Sequence, residues 1–294
     1  MHKIVFAFLA SLTLGGLEAK AYFLLGYGTS LSPNGLQATI QNQIGKDNIK
    51  GDIQSASYKG AIDNINDFYV GSQLDLDKWH IFNLRALVNF SFANNGYFQN
   101  ATNRKHTDGA KTYTPARAPV VNSDGSTTFT PESFAQVPLT PDSLPKNMFL
   151  VNYGINVDAG VNLPISYLLN TFLADKIPKL PPLLIGVFGG LGFEFSSLSV
   201  GTYDPGIYNN TSVNSSDSIY LAGGGVVVRF GGSLRLGENL RVDLGVKMPF
   251  ADIAGERYYQ FPLGESDTFK QQILTQKFLV NQYPFWQMSI NALF

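Results

Sequence analysis

A chain of 294 residues without a single cysteine has no disulfide framework, and a net charge of −1 gives no electrostatic case for a nucleic-acid partner. Aromatic residues make up 13% of it and charged residues only 15%, against roughly 25% charged in an average soluble domain. No stretch beyond the N-terminus runs to about 18 consecutive apolar residues, which argues against a bundle of membrane-spanning helices.

Residues 1–21 read as a secretory signal. Lys3 precedes the apolar run Ile4 to Ala10, further apolar residues continue to Leu17, and Ala19-Lys20-Ala21 supplies a small-x-small site, with cleavage expected after Ala21. Removing Lys3, Lys20 and Glu18 takes 21 basic and 22 acidic side chains to 19 and 21, a mature net charge of about −2. Residues 22–294 then form the mature domain.

Period-two alternation predicts eight strands. The first, Tyr22 to Ser30, sets Phe23, Leu25 and Tyr27 against Leu24, Gly26 and Gly28, and a polar connection of about 36 residues is expected after it. Asp67 to Asp77 and Trp79 to Phe92 form a tight hairpin, with Phe68, Val70, Phe82, Leu84, Val88 and Phe90 on its apolar face. Residues 93–147 are Thr-, Ser-, Asn- and Pro-rich and read as a long external loop with partial disorder. The cleanest strand follows, Phe149 to Leu163, with eight apolar positions at spacing two.

Residues 164–182 break the pattern. Ile165, Leu168, Leu169, Phe172 and Leu173 recur at helical spacing before Pro178, predicting an amphipathic helix of about ten residues at a membrane surface or barrel mouth. Strands Leu183 to Ser197, Ser218 to Leu236 and Leu240 to Phe250 come next. A 25-residue connection containing Tyr258-Tyr259 then leads to the last strand, which can be extended back to Phe278.

In that strand Trp286, Met288, Ile290, Ala292 and the terminal Phe294 alternate with Gln287, Ser289 and Asn291. It resembles the C-terminal assembly signal of bacterial outer-membrane barrels, carried here by Trp286, Met288, Ile290 and Phe294. Long polar connections after the odd strands and short ones after the second and sixth fit an all-β, antiparallel transmembrane barrel of eight strands, with the helix at a periplasmic connection. A lipocalin-like carrier shares the alternation with the faces reversed. The membrane reading is favoured because the polar faces carry Arg85, Asp158, Glu194, Arg229, Arg235, Arg241 and Asp243, a set suited to a polar lumen. The aromatics Phe82, Phe92, Phe149, Tyr220, Phe250, Phe278 and Phe294 gather toward strand ends, as interfacial girdles do.

An eight-stranded barrel is just wide enough for side chains to fill it, and Arg85 and Asp158 are expected to pair inside. A selectivity filter is the other reading of these charges. No catalytic or metal-ligating grouping emerges: of His80, at an inner turn, and His106, beside Lys105, neither has an evident partner, and both read as solvated or interfacial. No cofactor is expected. The glycine runs Gly189-Gly190-Leu191-Gly192 and Gly223-Gly224-Gly225 lack the helix and Lys-Ser/Thr of a phosphate loop and read as sites of close packing.

Gly26-Tyr27-Gly28, the run Asp243-Leu244-Gly245-Val246-Lys247-Met248-Pro249, Tyr258-Tyr259 and the strand ending at Phe294 resemble the Helicobacter outer-membrane protein superfamily, in its smaller Hop/Hor-type members. The resemblance covers roughly 22–30 and 218–294 and implies a porin, an adhesin or a protein of unknown role. The large adhesins carry an extra domain, usually with cysteine pairs, and this chain has neither. The expected partners are outer-membrane lipid, the assembly machinery through the C-terminal strand, and a host or cell-surface ligand contacted by loops 93–147 and 251–275. A narrow channel for small solutes is the alternative function.

Overall fold

The computed structural model describes residues 19–46, 49–107, 117–130, 144, 147–172, 181–201, 207–208, 211–212, 219–262 and 271–294. Expectations for residues 1–18, for the Pro115, Pro131 and Pro141 segments and for residues 173–180 lie outside these. Eight strands close a barrel: β1 (Lys20–Ser30), β4 (Asn66–Asp75), β5 (Phe82–Ala93), β10 (Met148–Pro164), β11 (Leu183–Val200), β14 (Ile219–Leu236), β15 (Leu240–Pro249) and β18 (Phe285–Leu293). Every pairing is antiparallel, in the cyclic order β1-β4-β5-β10-β11-β14-β15-β18 and back to β1. Closure leaves no open sheet edge in this ring. Phe23 and Phe294 complete it by exchanging backbone hydrogen bonds of 3.0 and 2.9 Å.

The connections expected as long polar loops contain further strands. The segment after β1 is a hairpin, β2 (Asn34–Lys46) and β3 (Ile49–Asp63), and the one after β15 is a hairpin, β16 (Asp252–Pro262) and β17 (Gln271–Gln282). Part of loop 93–147 is also built: β6 (Asn95–Phe98) and β7 (Thr102–Thr107) both pair with β3, while β8 (Arg117–Val121) and β9 (Thr127–Thr130) form a separate hairpin. The small hairpin β12 (Ile207–Tyr208) and β13 (Thr211–Ser212) lies between β11 and β14. The ladder β14-β16-β17-β2-β3-β6 stacks a second tier on the barrel, and Gly96 of β6 abuts Met148 of β10.

The two tiers have opposite polarity. In the lower one the outward residues are apolar, among them Phe23, Leu25, Val70, Val88, Ile155, Val157, Leu191 and Ile290, each between 45% and 63% exposed. The inward residues there include Arg85, Asn89, Asn156, Asp158, Arg241 and Asp243, all buried. In the upper tier Leu36, Ala38 and Ile40 of β2 are buried, while Gln37, Thr39 and Gln41 between them are partly exposed. Water favours polar groups outside and hydrocarbon favours apolar ones, so the inversion marks where the wall leaves one solvent for the other. The strands that stop at this level fit the change. β1, β4, β15 and β18 have 11, 10, 10 and 9 residues, the length that crosses a bilayer when tilted.

Strands β11 and β14, at 18 residues each, run through both tiers, and their inward residues change from charged to apolar on the way up. Glu194 and Arg229 lie below Leu198, Val200, Ile219 and Leu221. With Leu36, Ile40, Tyr58, Ile62, Leu150, Ile253, Phe278 and Val280 these form one apolar core that caps the lumen. Phe278 is thus 5% exposed in β17 and belongs neither to the C-terminal strand nor to an aromatic girdle. The outward face of the tier carries the Lys277–Glu256 ion pair at 2.8 Å, whose mutual hydrogen bond raises the lysine and lowers the carboxyl from their ordinary values.

At the opposite, inner end sits α1 (Ile165–Phe172), eight residues against about ten expected, its Tyr167 ring 4.2 Å from Trp79. The turns here are short: Gly237, at φ 67°, donates to the Pro182 carbonyl at 2.7 Å.

Candidate functional site: a charge-filled lumen under an apolar cap

Alternation aims every second side chain of the lower strands inward, so eight strands deliver their polar faces to one axis. The glycines make room for what they deliver: a Cβ on Gly190 would overlap the Asp158 carboxylate, and one on Gly26 the Asn291 amide. Arg85 of β5 and Asp158 of β10 are register partners, 3.0 Å apart. Arg85 also reaches Asp243 at 2.5 Å, and Asp243 accepts from Arg241 Nε at 2.7 Å and from the Asn291 amide at 3.1 Å. Arg241 further donates to Gln73 and Asn83 at 3.2 and 3.3 Å. Arg229 stands 3.8 Å from Asp158.

Two satellites flank this centre. Toward the cap, Glu194 bonds Lys247 and Asn89, each at 2.8 Å, and Asp67 accepts from Ser91 and Gln287 with Lys247 at 3.6 Å. Toward the inner end, Arg235 meets Asp75 at 2.7 Å. All seven charged residues singled out from the sequence are buried and inward; Arg85, Asp158, Arg229, Arg241 and Asp243 come together, while Glu194 and Arg235 sit in the satellites.

Asp67, Asp75 and Lys247 complete the set and were absent from it. They occupy the same polar faces as Gln73 and Arg241, so strand parity was the signal that would have found them. His80 is corrected as well: its Nδ1 lies 2.6 Å from the Asp75 carboxylate, because the turn folds the ring back over the barrel mouth. His106 is on β7, its Nδ1 against the Gln54 side chain.

The buried cations Arg85, Arg229, Arg235, Arg241 and Lys247 balance the buried anions Asp67, Asp75, Asp158, Glu194 and Asp243. Several cations also lie over inward aromatic rings: Arg85 over Phe188 at 4.6 Å, Arg229 over Tyr69 at 5.0 Å and Arg235 over Tyr22 at 4.7 Å. A cavity of about 10 Å³ bounded by Phe188, Arg229, Asp243, Gln287 and Ser289 has the room of about one water molecule. Burying so many charges is tolerable only because each has a partner.

At the C-terminus, Trp286, Ile290 and Phe294 are 53%, 49% and 69% exposed on the outer wall, Met288 between them partly so, with Phe294 6.4 Å from the Phe23 ring.

A closed ring of antiparallel strands with hydrocarbon-facing side chains outside and paired charges within defines a transmembrane β-barrel. No protein-family model matches the chain, and no curated protein does. Solved structures do. Neisserial surface protein A (NspA) is similar at 10% identity over 94% of this chain and 99% of that one, with a TM-score of 0.30. The outer membrane protein OprG from Pseudomonas aeruginosa is similar at 12% identity over 94% and 97%, with a TM-score of 0.37. The translocator domain of autotransporter NalP from Neisseria meningitidis is similar at 12% over 96% and 94%, with a TM-score of 0.24. The fold assignment rests on the strand order and polarity described above.

Proposed function

We propose that this protein is an exported outer-membrane barrel with a structural or recognition role at the cell surface, and that it does not conduct. Its lower tier sits in the bilayer, its inner end faces the periplasm, and its upper tier and loops meet the exterior. Residues 1–21 are removed on export; since Lys20 pairs with Glu238 at 2.5 Å, an intact mass starting at Tyr22 would show that this contact is lost on maturation. The C-terminal strand, with Trp286, Met288, Ile290 and Phe294 outward, serves as the assembly signal.

The observation that carries the non-conducting reading is the double closure of the axis. A charge-balanced network, holding at Arg229 and Asp243 a cavity the size of about one water, lies beneath an apolar core that reaches from Leu150 to Phe278. An ion would have to break the paired charges and then pass the apolar core. The surface left to act is the upper tier, with Gln37, Thr39, Gln41, Ser55, Ser57, Lys59 and Lys277 outward.

The refolded chain in a planar bilayer is therefore expected to show no steady steps at applied voltage, while heat-modifiable gel migration shows that it is folded. Steps that scale with salt concentration and vanish when Phe294 is deleted would instead establish the porin reading.

A further inference from the structure

The inner end carries a cleft of about 230 Å³ between the β4–β5 turn and α1, bounded by Lys78, Trp79, His80, Ser166, Tyr167 and Asn170. Its depth follows from its neighbours. Phe82 and Leu163, each 53% exposed, are the innermost outward apolar residues of β5 and β10, and the cleft begins directly beyond them. That is the level at which hydrocarbon gives way to headgroups.

The turn that builds one wall is held rigidly. The Asp77 carboxylate accepts from the backbone N–H groups of Trp79, Ile81 and Phe82 at 2.9, 3.1 and 2.8 Å. Asn162 braces it from β10, donating from its backbone N–H to the Ile81 carbonyl at 2.7 Å and from its amide to the His80 carbonyl at 2.8 Å. These bonds hold His80 at φ 58°, a left-handed conformation that few non-glycine residues adopt. Such strain persists only where the surroundings over-determine it, and it is found disproportionately at ligand clamps.

What the strained turn presents is a cation on an aromatic platform. Lys78 Nζ lies 5.0 Å from the Trp79 ring, which packs against Tyr167. Across the cleft, Ser166 Oγ accepts from the Leu183 N–H at 3.0 Å and keeps its own proton to donate. Among the described residues that bound the cleft there is no carboxylate.

We propose that this cleft binds the phosphate headgroup of an anionic phospholipid in the leaflet at the inner end of the barrel. Lys78 supplies the charge, Ser166 a hydroxyl donor, and Trp79 and Tyr167 the amphipathic rings that sit at headgroup depth. The proposal rests on the outer-membrane reading, which sets that leaflet against the periplasm.

Native mass spectrometry of the refolded full chain, released from micelles holding equal phosphatidylglycerol and phosphatidylcholine, tests it. One retained phosphatidylglycerol is expected, with its preference over phosphatidylcholine falling about five-fold in Lys78→Gln and unchanged in Lys59→Gln on the upper tier. Tyr167→Ala should weaken retention too, with heat-modifiable migration reporting the fold of each variant. Equal retention of the two lipids, or indifference to Lys78→Gln in folded protein, would overturn the site. Displacement by millimolar inorganic phosphate would do so as well, by showing a soluble anion as the occupant. Failure to insert into vesicles would remove the outer-membrane reading itself; insertion without lipid preference would remove only this site.

Discussion

Arg85→Met should destabilise the refolded barrel by about 3–5 kcal/mol, the cost of leaving a buried charge without its partner. Asp158 is the group stranded. Its remaining cation is Arg229 at 3.8 Å, whereas Asp243 keeps Arg241 at 2.7 Å and the Asn291 amide. The double variant Arg85→Met/Asp158→Asn keeps the charges balanced but takes from Arg229 its partner at 3.8 Å, so it should recover part of the loss and not all of it. Urea unfolding in lipid vesicles, read by heat-modifiable migration, measures both. Conductance should stay absent in each, since the apolar cap is untouched. A variant of wild-type stability that conducts would make Arg85 part of a filter.

The second large effect separates the faces of one strand. Ile40→Asp should destabilise the upper tier by on the order of 4 kcal/mol, because Ile40 is fully buried within the apolar core and the new carboxylate would have no cation there to pair with among the core residues. Gln41→Asp, one residue on, should change stability by about 0.5 kcal/mol or less, because that side chain faces outward. Limited proteolysis should cut the Ile40→Asp tier while the membrane ring remains protected. Equal behaviour of the two variants would mean that β2 is not packed as described.

These contrasts bear on what was legible beforehand. The eight barrel strands were readable because lipid enforces an apolar alternation along each, broken only by a small residue such as Ser72, Gly189 or Gly232, and most clearly from Phe149 to Leu163. The upper tier was not, although β2 alternates just as strictly through Leu36, Gln37, Ala38, Thr39, Ile40 and Gln41. Its outer face of Gln37, Thr39, Gln41 and Gln43 has the composition of a loop, and only its partners β17 and β3 show that it is a wall.

Phe278 illustrates the deeper difficulty. It shares parity with Trp286, Ile290 and Phe294, so an unbroken strand would put it on the lipid side. At Tyr283-Pro284 the phase slips: Phe278, Val280 and Gln282 point inward, then Phe285 and Gln287 do. Proline removes a ladder donor, and a one-residue slip exchanges the faces. The same slip separates Ile62 from Ile65 across Asn64, at φ 52°.

Within the lumen, Arg85 and Asp158 could be set side by side by counting residues from the inner turns. Asp243 could not, because its contact with Arg85 crosses the barrel axis between non-adjacent strands.

The polarity inversion between the tiers is directly measurable, because the chain has no cysteine of its own. Single cysteines at Val157, Ile40 and Gln41 in vesicle-inserted protein would be exposed to a membrane-impermeant maleimide. Rapid labelling at position 41 alone is predicted, since position 157 faces hydrocarbon and position 40 the dry core. Rapid labelling at position 157 would contradict the account, because the outward apolar face would then stand in water and the barrel would not span a bilayer.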